Sequence, residues 1–186
     1  MSSSVVPWIV AAVLLFWSVG AYNRLVRLRS EANAAFSVVE AELHKEVELV
    51  QSCLPTEETQ PAPPGGGDGS FWSGLQGAGA QVAASLAAAR HRPLDPDGID
   101  ALGAAQDVLA MAWERVERAD AHDLAGPRLP DTVTAMRAHL TAQTLAATRQ
   151  FNQAVTRYNE AIAQFPAVLL AWLFSFKPGH GIGSLQ

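Results

Sequence analysis

The chain has 186 residues, 49% of them hydrophobic, with 18 acidic against 13 basic side chains and a net charge of −5. That is enough apolar material for one domain with a core. The acidic balance argues against a protein that neutralises nucleic-acid phosphates, and a single cysteine, Cys53, excludes an internal disulfide or a zinc site built from several thiolates.

The first element runs VVPWIVAAVLLFWSVGA, Val5 to Ala21, seventeen residues without a charge. As a helix this reaches the lower limit for crossing roughly 30 Å of hydrocarbon. Trp8 and Trp17 stand near its two ends, where indole rings favour the headgroup level. Arg24, Arg27 and Arg29 follow it, whereas Met1 to Ser4 carry no basic residue. This asymmetry predicts a retained anchor over residues 1–21, with the N-terminus outside and the following domain in the cytoplasm. The rival reading is a cleaved signal peptide ending at the small residues Val19, Gly20 and Ala21.

Beyond Tyr22 the apolar positions Leu25, Leu28, Ala32, Ala35 or Phe36, Val39, Leu43, Val47, Val50 and Leu54 recur in steps of three and four. No proline or glycine interrupts them, so the anchor and this stripe read as one helix of roughly 50 residues, about 75 Å long. Pro55 ends it, and residues 55–70 (PTEETQPAPPGGGDGS) read as a flexible connection. A second helix is predicted from about Phe71 to Arg92, with Leu75, Val82, Leu86 and Ala89 inward. A third runs from Gly98 to Leu124 behind an Asp97 cap, with Leu102, Ala105, Leu109, Trp113 and Val116 inward and Ala119 or Asp120 continuing the stripe. Gly126 and Pro127 stop it.

Asp131 is predicted to cap a fourth helix whose apolar face is Val133, Met136, Leu140, Ala147, Phe151, Val155, Tyr158, Ile162 and Phe165, a nearly seven-residue, coiled-coil-like spacing. Pro166 breaks it. Ala167 to Phe176 forms a short apolar helix, too short to span a bilayer, that caps the bundle or lies at an interface. Residues 177–186 are a glycine-rich tail. The expected fold is all-α: an N-terminal transmembrane helix continuing into an antiparallel up-and-down bundle of long helices over residues 22–176.

The most specific local pattern is FNQAVTRYNEAIAQFP, in which an aromatic-Asn pair recurs after seven residues as Phe151-Asn152 and Tyr158-Asn159. A related pair, Tyr22-Asn23, opens the bundle part of the first helix. Two readings stand: the aromatics fill core layers while the asparagines satisfy buried polar groups or set register, or Arg149, Asn152, Tyr158 and Asn159 form a patch for a partner.

YNRLVRLRSEANAAFS at Tyr22 to Ser37, with RQFNQAVTRYNEAIAQFP and LLAWLFSFK at Arg149 to Lys177, resembles the LemA family of bacterial membrane proteins. The resemblance implies an N-terminal transmembrane helix with a short external N-terminus, followed by a long-helix bundle, and names no activity. Where that family's first block usually carries tryptophan, this chain has Phe36. It also has ELHKEVELVQSCLP and the glycine-proline connection in place of a basic stretch and a proline-led apolar segment.

Catalytic constellations are missing from the sequence. No histidine has a glutamate three residues before it, as a bundle dinuclear metal site would need. Glu40, His44 and Glu48 share a helix face, a spacing suited to a single metal or to solvated ion pairs, and we take the second. There is no G-x-S-x-G, and GGGDG lacks the Lys-Ser/Thr of a phosphate loop. The sequence therefore predicts a non-enzymatic membrane-anchored interaction or scaffold protein, without cofactor or metal, and with another protein or membrane lipid as its partner. The alternatives are an exported envelope protein and an accessory subunit of a membrane enzyme or protease.

Overall fold

The computed structural model describes residues 5–53, 68–122, 130–165 and 167–183. Five helices account for nearly all of them: α1 (Val5–Cys53), α2 (Asp68–His91), α3 (Pro96–His122), α4 (Asp131–Ala163) and α5 (Ala167–Leu173). Among the described residues there is no strand. The fold is all-helical, with a long apolar N-terminal helix and the others packed against it.

Of the 49 residues of α1, the one proline, Pro7, lies in the first turn, where a missing N–H leaves no intrahelical bond unmade, and the one glycine, Gly20, is carried within the continuous helix. Its apolar first third is uncovered: Phe16 is 84% exposed and Trp8 76%. Within this chain the segment is therefore not part of the core. The segment is long and apolar enough to cross a membrane.

From Leu25 onward α1 becomes the spine of the bundle. Leu25, Leu28, Ala32, Phe36, Val39, Leu43, Val47 and Val50 are all buried, with Phe36 rather than Ala35 filling its turn. Helix α4 runs antiparallel to it: Arg24 meets Gln164, Phe36 meets Phe151, and Glu46 meets Thr144. Helix α2 also runs antiparallel to α1, with Glu40 paired to Arg90 at one end. At the other, Gly79 lies so close to Val50 that a Cβ there would sit 3.1 Å from its Cγ1. Helices α2 and α3 pack as a hairpin across residues 92–95, and the Arg137 side chain of α4 reaches over to pair with Glu117 of α3.

The core falls into three layers along α1. Nearest the anchor, Leu25 and Leu28 meet Tyr158, Ala161 and Ala167. The middle layer is built around Phe36, Leu43, Leu102 and Phe151, and the far layer around Val50, Val82, Leu109 and Trp113.

Several local expectations are corrected. Helix α2 starts at Asp68, so the last three residues of the 55–70 connection are helical. The α3 cap moves from Asp97 to Asp95, whose carbonyl receives the Ile99 N–H at 3.1 Å, because Pro96 is suited to the first helical position. Asp131 lies within α4 and makes no side-chain cap; Pro130 occupies the cap position, and its carbonyl takes the Val133 N–H at 2.8 Å. Met136 is 50% exposed and Phe165 68% exposed, although both continue the apolar stripe of α4. A straight helix drifts about 20° per heptad against a seven-residue repeat. In Met136's turn Arg137 faces inward, its guanidinium carbon 5.4 Å from the centre of the Trp113 ring. Phe165 lies beyond the end of α4, where Gln164 is already extended. The expected breaks at Pro55, Gly126–Pro127 and Pro166, the positions Leu54 and Leu124, and most of the 55–70 connection lie outside the described residues, as do the side chains at 119 and 120.

Candidate functional site

The two aromatic-Asn pairs of α4 do different things with their two halves. Phe151 and Tyr158 are fully buried, Phe151 packing edge-on against Phe36 with ring centres 5.6 Å apart. The asparagines, one position further on, flank that core face and line a groove beside it. The groove is filled by the chain's own C-terminal segment.

Asn159 holds Gly179 by two bonds: its Nδ2 donates to the Gly179 carbonyl at 2.8 Å, and its Oδ1 accepts the Gly179 N–H at 2.8 Å. Asn152 Nδ2 donates to the Ile182 carbonyl at 2.9 Å, and the Tyr158 hydroxyl donates to the Lys177 carbonyl at 3.2 Å. The spacing fits simple geometry. Two helical turns between the asparagines rise about 10.5 Å, and three extended residues between Gly179 and Ile182 cover about 10 Å.

The remaining contacts fasten the same segment. Ile182 is 2% exposed and joins the middle core layer beside Ile99, Leu102 and Phe151. His180 Nε2 lies 3.2 Å from Asp100 Oδ1 on α3. Glycines permit the close approach: a Cβ on Gly181 would lie 2.7 Å from Asn152 Oδ1, and one on Gly179 3.0 Å from Leu94 Cδ2. Asn152 Oδ1 is buried without a hydrogen-bond partner, so the amide commits only its donor. Burial raises the Tyr158 phenol above its usual range, with Arg29 opposing the shift.

Residues 177–183 are therefore part of the bundle, and the expected separate tail is corrected. Of the four residues singled out from sequence, Asn152, Tyr158 and Asn159 come together in this clamp. Arg149 is exposed and takes no part in it.

A second polar group, not anticipated from sequence, lies between α1, α3 and α4 on the side away from the anchor. Thr144 Oγ1 donates to Glu46 Oε1 at 2.7 Å, Gln106 and Thr144 are buried, and Arg137 approaches from α4. Desolvation raises the Glu46 carboxyl above its ordinary value and Glu42 adds to this, while the Thr144 bond and Arg137 oppose it. The sequence signal was a polar residue, Thr144, standing four residues after Leu140 in the inward row.

The Glu40, His44, Glu48 trio is divided. Glu40 reaches across to Arg90 at 3.4 Å, while His44 and Glu48 stand 4.0 Å apart on an exposed face. Among the described residues no three His, Cys, Asp or Glu side chains converge. Cys53 is half-buried beside Ser52, and burial raises its thiol, so less of it is present as thiolate at neutral pH.

No family model, curated protein or solved structure matches the chain.

Proposed function

We propose that the chain is a LemA-like, single-pass membrane-tethered scaffold of a bacterial cell membrane. Its N-terminus lies outside, and its bundle is held in the cytoplasm to present a surface to a protein partner. One observation carries this reading: α1 passes without a break from an uncovered, charge-free segment into the buried spine of the bundle. Such a helix couples the bundle rigidly to whatever holds its first third. The orientation rests on Arg24, Arg27 and Arg29, all exposed at the start of the bundle, since arginine beside a span is retained on the cytoplasmic side. Asn152 and Asn159 bind the chain's own C-terminal segment, which gives these side chains a structural role within the scaffold.

The test uses the lone thiol. In a Cys53→Ala, Met111→Cys variant, the half-exposed position on α3 is probed with a membrane-impermeant maleimide in intact and lysed cells. Labelling only after lysis is expected. Labelling of intact cells reverses the orientation, and an intact mass beginning at Tyr22 replaces the tethered reading with an exported protein. Crosslinking in cells followed by purification is expected to recover a stoichiometric protein; recovery of the chain alone overturns the scaffold reading.

A further inference from the structure

A second uncovered apolar surface lies on and around α5. Phe165, Leu169, Trp172, Leu173 and Phe174 are 68%, 59%, 83%, 64% and 54% exposed. No charged residue occurs between Phe165 and Phe176. The buried face of α5 consists of Ala167 and Ala171, turned toward α1 and α4, so the large side chains are the ones pointing away. Clustered apolar exposure of this kind marks an interaction surface.

The contacts of α5 fix its level relative to the anchor. The Phe165 ring lies 5.5 Å from that of Trp17, inside the charge-free stretch of α1. Phe174 and Phe176 lie 5.1 and 6.0 Å from Tyr22, at the end of that stretch. Just beyond stand Arg24, Arg27, Arg29 and Lys177, all exposed, with Arg29 also 5.9 Å from the Phe176 ring. From Ile9 along α1 toward the bundle, the exposed surface changes from aliphatic to aromatic to basic, the order of a bilayer from its core to its anionic headgroups.

From this order we propose that α5 is a second membrane contact: a short helix seated in the boundary between headgroups and acyl chains beside the point where α1 leaves the bilayer. Its occupant is lipid. The exposed face is continuous with the exposed side chains of the anchor itself, so the medium that covers Phe16 also covers Phe165. Seven residues make a helix of about 10 Å, which cannot cross the bilayer but can lie in its interface. This rests on α1 being a span, and it adds a consequence: attachment at two points sets the tilt of the bundle.

The test places a nitroxide at single cysteines in the full chain, in a Cys53→Ala background, reconstituted at one copy per nanodisc of phosphatidylcholine and phosphatidylglycerol. The sites are Val13→Cys, Leu169→Cys, Trp172→Cys and Met111→Cys. Collisional relaxation by oxygen, which partitions into lipid, is compared with relaxation by a water-soluble nickel chelate. We expect oxygen to dominate at 13, 169 and 172 and the chelate at 111. Chelate dominance at 169 and 172 with oxygen dominance at 13 overturns the α5 contact and leaves the span intact. Chelate dominance at 13 overturns the span, and this inference with it. Protection from both reagents at 169 and 172 means that protein covers α5, which also overturns the proposal.

Discussion

Asn159 binds both the N–H and the carbonyl of Gly179, 20 residues away, each at 2.8 Å. One side-chain amide thus does what a neighbouring strand would do for an extended segment. Two hydrogen bonds of this kind are worth about 0.5–1.5 kcal/mol each. Asn159→Ala should therefore loosen residues 177–183 by roughly 1–3 kcal/mol, read as faster amide exchange at Gly179 with little change deep in α1. Asn159→Asp should be as severe, because a carboxylate oxygen would face the Gly179 carbonyl.

Gly181→Ala tests the fit of the same groove from the other side. The added methyl would lie 2.7 Å from Asn152 Oδ1, and that amide is held in place by its bond to Ile182. The segment must shift, drawing Ile182 out of the middle core layer. A loss of about 1–3 kcal/mol is expected from overpacking, seen as a lower unfolding midpoint and earlier proteolysis near the C-terminus.

Glu46 sets a pH dependence. Its carboxyl is raised in the folded state, mainly by desolvation, so the fold favours the protonated form. The protein is then least burdened below the ordinary value of 4.5 and loses stability as pH climbs through the raised folded value. Glu46→Gln keeps an acceptor for Thr144 without the charge. It should raise the unfolding midpoint at about pH 8 and have little effect at about pH 4; equal effects at both would contradict this assignment.

Phe151→Ala removes a side chain with no solvent exposure and its edge-on contact with Phe36. The expected loss is about 3–5 kcal/mol, measured by chemical denaturation of the detergent-solubilised chain. Phe36→Ala should cost a similar amount, and the double variant less than the sum, because the two share one cavity.

Ser175 has φ 55, the left-handed position that ends α5, with the Phe176 N–H bonded to the Ala171 carbonyl at 2.9 Å. Glycine meets that conformation without the Cβ conflict. Ser175→Gly should stabilise the turn by up to about 1 kcal/mol, measurable as slower exchange of the Phe176 amide.

The helical stripe of α1 was legible residue by residue, because a 3.6-residue period leaves one row of apolar side chains that can only be buried together. Leu25 through Val50 are buried as that row requires. The clamp was legible by half. Its aromatic-Asn repeat marks a special pair of turns, but the partner of the asparagines is a glycine-rich stretch with no periodicity to read. Glu46 and Thr144 were hidden because they stand 98 residues apart and meet only where α1 and α4 cross.

The sequence by itself thus determined the helical class, the run of α1 from apolar segment to core, and the inward rows of α2 and α3, since all of these follow from local spacing and the cost of exposing apolar surface. The tertiary structure alone decided three things: that residues 177–183 dock on the bundle and add Ile182 to its core, that Asn152 and Asn159 bind their own chain, and that α5 turns its large side chains outward beside Trp17 and Tyr22. Each depends on the relative placement of segments far apart in the chain, where a match of distances, rather than any local preference, selects the contact.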